Sequence, residues 1–156
     1  MEISIRSAND DDLPAIQAIA EEAYAVYVPA IGKKPAPMVA DYARHLQQDT
    51  CFVAEDQDRS VLGYAVVFFL DGAGEDKGYW LDSIAVAPEA AGQGLGSRLI
   101  DRVEAFLLSA GARSYQLYTN RFMTANVGWY QRLGFEITDE REEQGYQRIY
   151  FRKKLV

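Results

Sequence analysis

The stretch 81–100, LDSIAVAPEAAGQGLGSRLI, holds the change of structure on which the fold turns. Its first part extends the apolar run that begins at Tyr79 and Trp80, and it reads as a strand stopped by Pro88. Its last part opens an apolar stripe of Leu95, Leu99, Val103, Phe106 and Ala110 at helical spacing, closed by Gly111. Between the two stand Gly92, Gly94 and Gly96, on alternate positions where a helix should begin. Glycine is the costliest ordinary residue to order, so three of them need a reason. A tight strand-to-helix turn supplies one. Glycines there let several backbone N–H groups converge, and the helix N-terminus adds unpaired donors and a positive dipole end. A phosphate or pyrophosphate is the natural guest; a ligand-free turn is the rival explanation. Two common phosphate loops do not fit. A P-loop ends in Gly-Lys-Ser/Thr, whereas Gly96 is followed by Ser97 and Arg98. A dinucleotide fingerprint needs glycine at 97 and the first strand–helix turn, whereas four predicted strands precede this loop.

Outward from this stretch the periodicities change repeatedly. EISIRSA (2–8) alternates as a strand. NDDD (9–12) offers capping residues and negative charge for a helix start, and Leu13, Ile16, Ala20, Ala23, Tyr24 and Tyr27 follow at helical spacing. That helix is expected to end near Pro29, with a loop in PAIGKKPAP (29–37) and a short second helix over 38–48. TCFVAEDQD (50–58) and SVLGYAVVFFL (60–70) read as a hairpin, and DGAGEDKG (71–78) as a polar, exposed connection. After the central helix come a strand in RSYQLYT (113–119), a short helix in TANVGWYQRL (124–133), a strand from Gly134 and Phe135, and a closing strand in GYQRIYFRKKL (145–155). The predicted order is β-α-α-β-β-β-α-β-α-β-β, a mixed α/β sheet expected to form a single domain over 1–156 without repeats or linkers.

Composition narrows the function. Hydrophobic residues make up 49 %, enough for a core, and the formal net charge of −7 argues against nucleic-acid binding while suiting a cationic small substrate. The chain has one cysteine and one histidine, which excludes an internal disulfide and argues against a metal site. Cys51 is expected to be an inert core thiol and His45 a surface residue. The start MEISIRSANDDDL lacks signal-peptide order and no apolar run reaches membrane-spanning length, so a cytoplasmic protein without a membrane partner is expected.

Two segments at the right separation resemble the GNAT superfamily of N-acetyltransferases. The family pattern is a strand ending in V-x-P, then Arg/Gln-x-x-Gly-x-Gly/Ala opening a long helix; here Gly94 and Gly96 take the small-residue positions and Ala91 stands where Arg or Gln is usual. NVGWYQRLGFEI (126–137) is similar to the later family segment, in which an aromatic pair precedes Leu-Gly-Phe. Many members carry an asparagine earlier in that helix; here Met123 holds that place and the asparagine is Asn126. The start IRSANDDDLPAIQAI (5–19) is also family-like, so the resemblance runs nearly end to end. It implies a GNAT-like mixed central sheet flanked by helices.

It also implies transfer of an acetyl group from acetyl-CoA, as co-substrate and without a metal, to a primary amine of a small molecule or peptide. The backbone of Ile84, Ala85 and Val86 would pair with the pantetheine arm as an added strand. Residues Ala91, Gly92, Gln93, Gly94, Leu95, Gly96 and Ser97 would hold the pyrophosphate, with Asn126 close by. Arg98 and Arg102 would either meet outer phosphates or lie on a solvated helix face. Tyr130 matches the family's acid toward the departing thiolate, and a phenol with a pKa of about 10 is protonated at neutral pH. The rival for Tyr130 is a packing role in an aromatic cluster with Trp129 and Phe135. For the base, alternation places Asp82 on one face with Ile84 and Val86; Glu21, Glu22 and a water relay compete with it. Tyr24, Tyr27 and the loop VPAIGKKPAPM (28–38) are expected to wall the amine site. A homodimer stays open. The alternatives are a non-catalytic acyl-CoA sensor or scaffold, to which Ala91 lends weight, and an interaction domain with no ligand.

Overall fold

The computed structural model describes residues 2–72, 74 and 76–156. Among them the strands are β1 (Ser4–Ser7), β2 (Thr50–Glu55), β3 (Val61–Leu70), β4 (Gly78–Val86), β5 (Ser114–Asn120), β6 (Glu136–Glu143) and β7 (Tyr146–Lys154). The helices are α1 (Leu13–Ala25), α2 (Val28–Ile31), α3 (Ala36–Val39), α4 (Tyr42–Gln48), α5 (Leu95–Ser109) and α6 (Thr124–Arg132). The strands form one sheet in the order β1-β2-β3-β4-β5-β7-β6, in which β4 and β5 run parallel and the other neighbours antiparallel. This is the expected mixed α/β sheet with helices on both faces.

Strand periodicity divides the core into two layers. On β2, Phe52 and Ala54 face one way and Cys51 and Val53 the other; on β3, Ala65 and Val67 oppose Tyr64 and Val66. The first set packs on Leu99, Ile100, Val103 and Leu107 of α5. The second packs on Ile16, Ile19, Ala20 and Tyr24 of α1 and Tyr42 of α4. Leu107, outside the stripe read from sequence, is fully buried, while Ala110 is exposed.

The segment between α1 and β2 departs from expectation. The predicted loop contains α2 and α3, each with proline in its first turn. Proline there starts a helix, because its fixed φ fits and its missing N–H has no intrahelical partner to lose. The predicted helix over 38–48 is broken at Ala40, which is extended, and restarts at Asp41, whose carboxylate accepts the Arg44 N–H at 3.1 Å. In the 71–78 connection Ala73 and Glu75 lie outside the described residues. Asp71, Gly72, Gly74, Asp76 and Lys77 are exposed, and the Trp80 indole N–H donates to the Asp76 carbonyl at 2.8 Å.

The entry into α1 rests on a charge. Asn9 and Asp12 form a capping box, and Asp12, only 6 % exposed, accepts two bonds from the Arg6 guanidinium at 2.8 and 2.9 Å. The Arg6 bonds, opposed by burial, hold the Asp12 carboxyl below the usual carboxylate value. A depressed folded-state pKa stabilises fully above the unfolded value of about 3.9, and this is lost as pH falls below it. Asp12→Ala should therefore cost about 1–3 kcal/mol at pH 7, and progressively less as the pH falls from about 3.9 through the depressed folded-state value. Urea denaturation of both proteins across a pH series from 7 downward measures this; a difference that stays constant throughout the acid range would place the stabilisation elsewhere.

Candidate active site

Strands β4 and β5 share one register, Trp80 opposite Gln116, and then part. Beyond that point β4 keeps β3 on one side and faces a gap on the other. The Ala87 N–H donates to the Leu62 carbonyl of the β3 side at 2.7 Å, whereas the Ile84 carbonyl accepts the Tyr24 hydroxyl at 2.7 Å. Backbone polar groups alternate in direction along a strand, so Val86 turns its own toward the gap as Ile84 does, and Ala85 turns toward β3.

The outer half of the gap is a groove of about 590 Å³ lined by Ile84, Ala85, Val86, Gly92, Gly94, Gly96 and Ser97, with Tyr27, Asn126 and Trp129 opposite. Here the three glycines separate into two jobs. Gly92 and Gly94 hold φ of +80° and +77°, and a Cβ on either would meet nothing within 4 Å, so they line open space. Gly96 instead admits the Trp129 ring, which would lie 3.1 Å from a Cβ. Gly94 is the N-cap of the 15-residue α5 and has no side chain to cap it; the first intrahelical bond runs from Arg98 N–H to the Gly94 carbonyl at 3.1 Å. The N–H groups of Leu95, Gly96 and Ser97 precede that ladder, at the positive end of the helix dipole. These features fit a phosphate-bearing ligand. Ala91 and Gln93 are exposed on the same loop.

The inner half is a cleft of about 580 Å³, and Tyr24 and Asn126 border both halves. Asp82, Tyr130 and His45 line it together. Asp82 is not on the face that alternation predicts. Ser83 pairs with Val66 and Leu81 with Val67, so Asp82 is the extra residue of a β-bulge. The bulge shifts the period: Ile84 and Val86 pack on the α5 side, while Asp82 reaches α4, its Oδ2 lying 3.4 Å from Nε2 of His45. Burial, reinforced by the nearby Asp49 charge and opposed by His45, raises the Asp82 carboxyl above its ordinary value.

His45 is likewise not a surface residue. Its side chain is 20 % exposed, and Nδ1 contacts Asp49 Oδ2 at 2.7 Å. The i, i+4 spacing of His45 and Asp49 was the available signal, but the approach of Asp82 depends on the bulge. Cys51 is buried, as expected, and burial pushes its thiol up to about 12, which keeps it protonated.

Tyr130 is 6 % exposed and packs against Trp129, Phe135 and Phe151 at ring distances of 5.2, 5.6 and 5.8 Å. The aromatic cluster is real, and Tyr130 also borders the cleft. Among the described residues nothing hydrogen-bonds its hydroxyl, which burial holds well above the usual phenol value and so protonated. Tyr27 borders the groove and not the cleft. Arg98 donates to the Ile3 carbonyl at 2.8 Å and Arg102 lies 4.5 Å over the Phe52 ring, so neither reaches the glycine loop. Glu21 and Glu22 are exposed. Among the described residues no group of three or more His, Cys, Asp or Glu side chains is arranged to hold a metal, and no helix is long and apolar enough to cross a membrane.

The family model for GNAT acetyltransferases matches residues 14–135. A thialysine N-ε-acetyltransferase from Sus scrofa is 29 % identical over 97 residues, 62 % of this chain; the match spans 56 % of that relative, so the chain covers just over half its length. A solved GNAT-family structure from Desulfovibrio desulfuricans superposes with a TM-score of 0.77 at 23 % identity, covering 99 % of this chain and 100 % of that one. The PaiA N-acetyltransferase from Thermoplasma acidophilum, solved in complex with coenzyme A, gives 0.76 at 15 % identity and 99 % coverage of both.

The Gly96 contact yields a steric test. Gly96→Val should force the Trp129 ring away from α5 and cost about 1–3 kcal/mol. Chemical denaturation with the near-ultraviolet tryptophan signal reads both effects; wild-type stability with an unchanged signal would mean that the ring does not pack on α5.

Proposed function

The chain belongs to the GNAT family of acetyltransferases, and on that premise we propose that it moves an acetyl group from acetyl-CoA to a primary amine of a small molecule or peptide by direct transfer. The observation that carries this reading is the parting of β4 from β5. It leaves a groove with free backbone donors on one side and a cleft with a raised carboxyl and a protonated phenol on the other.

In this reading Ile84 and Val86 offer backbone pairing to the pantetheine arm, and the 91–97 loop with the start of α5 meets the pyrophosphate. The bound thioester supplies the electrophilic carbonyl. Asp82 takes a proton from the acceptor ammonium, and a carboxyl raised above its ordinary value is the better base for it. As the new C–N bond forms and the C–S bond breaks, Tyr130 gives its hydroxyl proton to the departing thiolate, and the second proton shed by the acylated nitrogen restores the phenol. The walls that hold the phenol protonated also desolvate the thiolate, which raises the thiolate's own proton affinity. Tyr24 stands at the join, its hydroxyl committed to the Ile84 carbonyl, so it contributes its ring to the wall. Asp41, Asp49 and Asp82 give the cleft an acidic side suited to a cationic acceptor.

The experiment is a thiol-release assay with acetyl-CoA and a panel of amines: thialysine and lysine, prompted by the curated relative, diamines, and a peptide with a free N-terminus. Release that depends on one of them supports the enzyme. A rise in melting temperature with coenzyme A but no release with any amine favours the non-catalytic sensor, for which the small Ala91 side chain speaks.

Tyr130→Phe isolates the proposed acid. The ring and its packing stay, so acetyl-CoA should bind nearly as before, while the single-turnover rate falls roughly a hundredfold or more. An unchanged single-turnover rate with a true acceptor would leave Tyr130 a packing residue.

A further inference from the structure

We infer that His45 is the relay behind Asp82, taking over the ammonium proton that Asp82 collects, with Asp49 setting its orientation. The inference rests on the acetyl-transfer reading. His45 lines the cleft with Asp82 and does not itself reach toward the groove, so it acts through Asp82 as a positioning and relay residue.

The geometry is directional. Nδ1 lies 2.7 Å from Asp49 Oδ2, a full hydrogen bond, so Nδ1 carries a proton and donates it. In the neutral ring that leaves the lone pair on Nε2, which faces Asp82 Oδ2 at 3.4 Å. This separation is longer than a settled hydrogen bond, and such contacts commonly tighten when substrate binds. The sequence of transfers balances. The ammonium N–H bond breaks as the proton joins Asp82; the proton then moves to Nε2, returning Asp82 to the carboxylate. The imidazolium formed lies between two carboxylates and sheds its proton to water along its exposed edge.

The surroundings favour this arrangement. The titratable groups around the ring are Asp49 at the end of α4, Asp82 from β4 and the protonated Cys51 thiol of β2, which feels both carboxylates; the Tyr42 ring lies 6.0 Å away within α4. Two cationic side chains border the same cleft, and both are engaged: Arg44 with Gln48 at 3.1 Å, and Arg148 with Glu143 at 3.7 Å. His45 is therefore the group positioned to accept charge between Asp49 and Asp82.

His45 is the chain's one histidine, so its imidazole resonance can be followed by NMR without assignment work. That readout needs no acceptor. In the wild type the imidazole should favour the Nδ1–H tautomer when neutral, with Nε2 left as the acceptor toward Asp82, and Asp49→Asn should release that preference. Once the amine panel has given an acceptor, His45→Gln should lower kcat about tenfold or more and displace the acidic limb of the pH–rate profile, with acetyl-CoA still raising the melting temperature as in the wild type. A neutral ring held in the Nε2–H tautomer, or a tautomer unmoved by Asp49→Asn, overturns the inference. So does a folded His45→Gln enzyme with the wild-type rate and pH profile, and that result would leave the acetyl-transfer reading standing. If the wild type acetylates no amine, the parent reading fails, and the relay fails with it.

Discussion

A single register, Trp80 against Gln116, joins the two halves of the sheet before β4 and β5 separate. An open seam inside a sheet is expensive, because each unpaired backbone group away from water forfeits a hydrogen bond. The structure holds the junction firmly on the closed side. The Trp80 indole donates to the Asp76 carbonyl and its ring stacks on Phe68 and meets Tyr150 edge-on. On the open side α6 descends from β5 and packs Tyr130 on Phe135 and Phe151, so the seam is propped apart by aromatic volume. The Tyr24 hydroxyl satisfies the Ile84 carbonyl, one of the groups the parting strands. What remains open is a strand edge leading to a helix N-terminus, which suits an extended ligand with an anionic end.

The β-bulge at Asp82 brings a carboxylate into the cleft beside the seam. A regular strand would have aimed residue 82 at α5 among aliphatic side chains, where an ionised carboxylate has no partner. The extra residue turns it toward α4, where Asp49 already lies. Two carboxylates in a partly dry cleft repel one another, and His45 between them relieves the repulsion when it is protonated. A proton taken up by the ring would therefore sit between two carboxylates and would not be an isolated buried charge.

How much of this could be read from sequence follows from what encodes each part. The succession of strands and the buried faces were legible because period-2 and period-3.6 patterns record burial directly, as in Phe52 and Ala54 against Cys51 and Val53. Gly92, Gly94 and Gly96 were legible as a turn, although Gly96 serves the Trp129 ring and not the loop. The bulge was not legible, since one inserted residue leaves no compositional mark and inverts the face of everything before it. Asp82 does line the cleft, but the alternation gave it the wrong neighbours. His45 was missed for the same reason, its second carboxylate coming from a strand nearly forty residues away. Pro29 was read as a stop and Pro37 as part of a loop, whereas in a first turn they begin helices.

The two halves of the site are built from different material, and this bears on how each can change. The groove is made largely of backbone, from Ile84 to Val86 and from Gly92 to Ser97, so replacing a side chain such as that of Ala91 leaves its donors in place. The cleft is made of side chains from α1, α4, β3, β4, β5, α6 and β7, and its outer wall is the proline-bearing segment before β2. That wall is not loose. Lys33 donates to the Gln144 carbonyl at 3.2 Å and sits 3.8 Å over the Tyr146 ring, whose hydroxyl donates back to the Lys34 carbonyl at 2.7 Å. Proline at 29, 35 and 37 further reduces the entropy lost in ordering it. A wall fixed in this way presents its charges ready-made, so selection among acetyl acceptors falls on the side chains that face the cleft more than on closure of a loop.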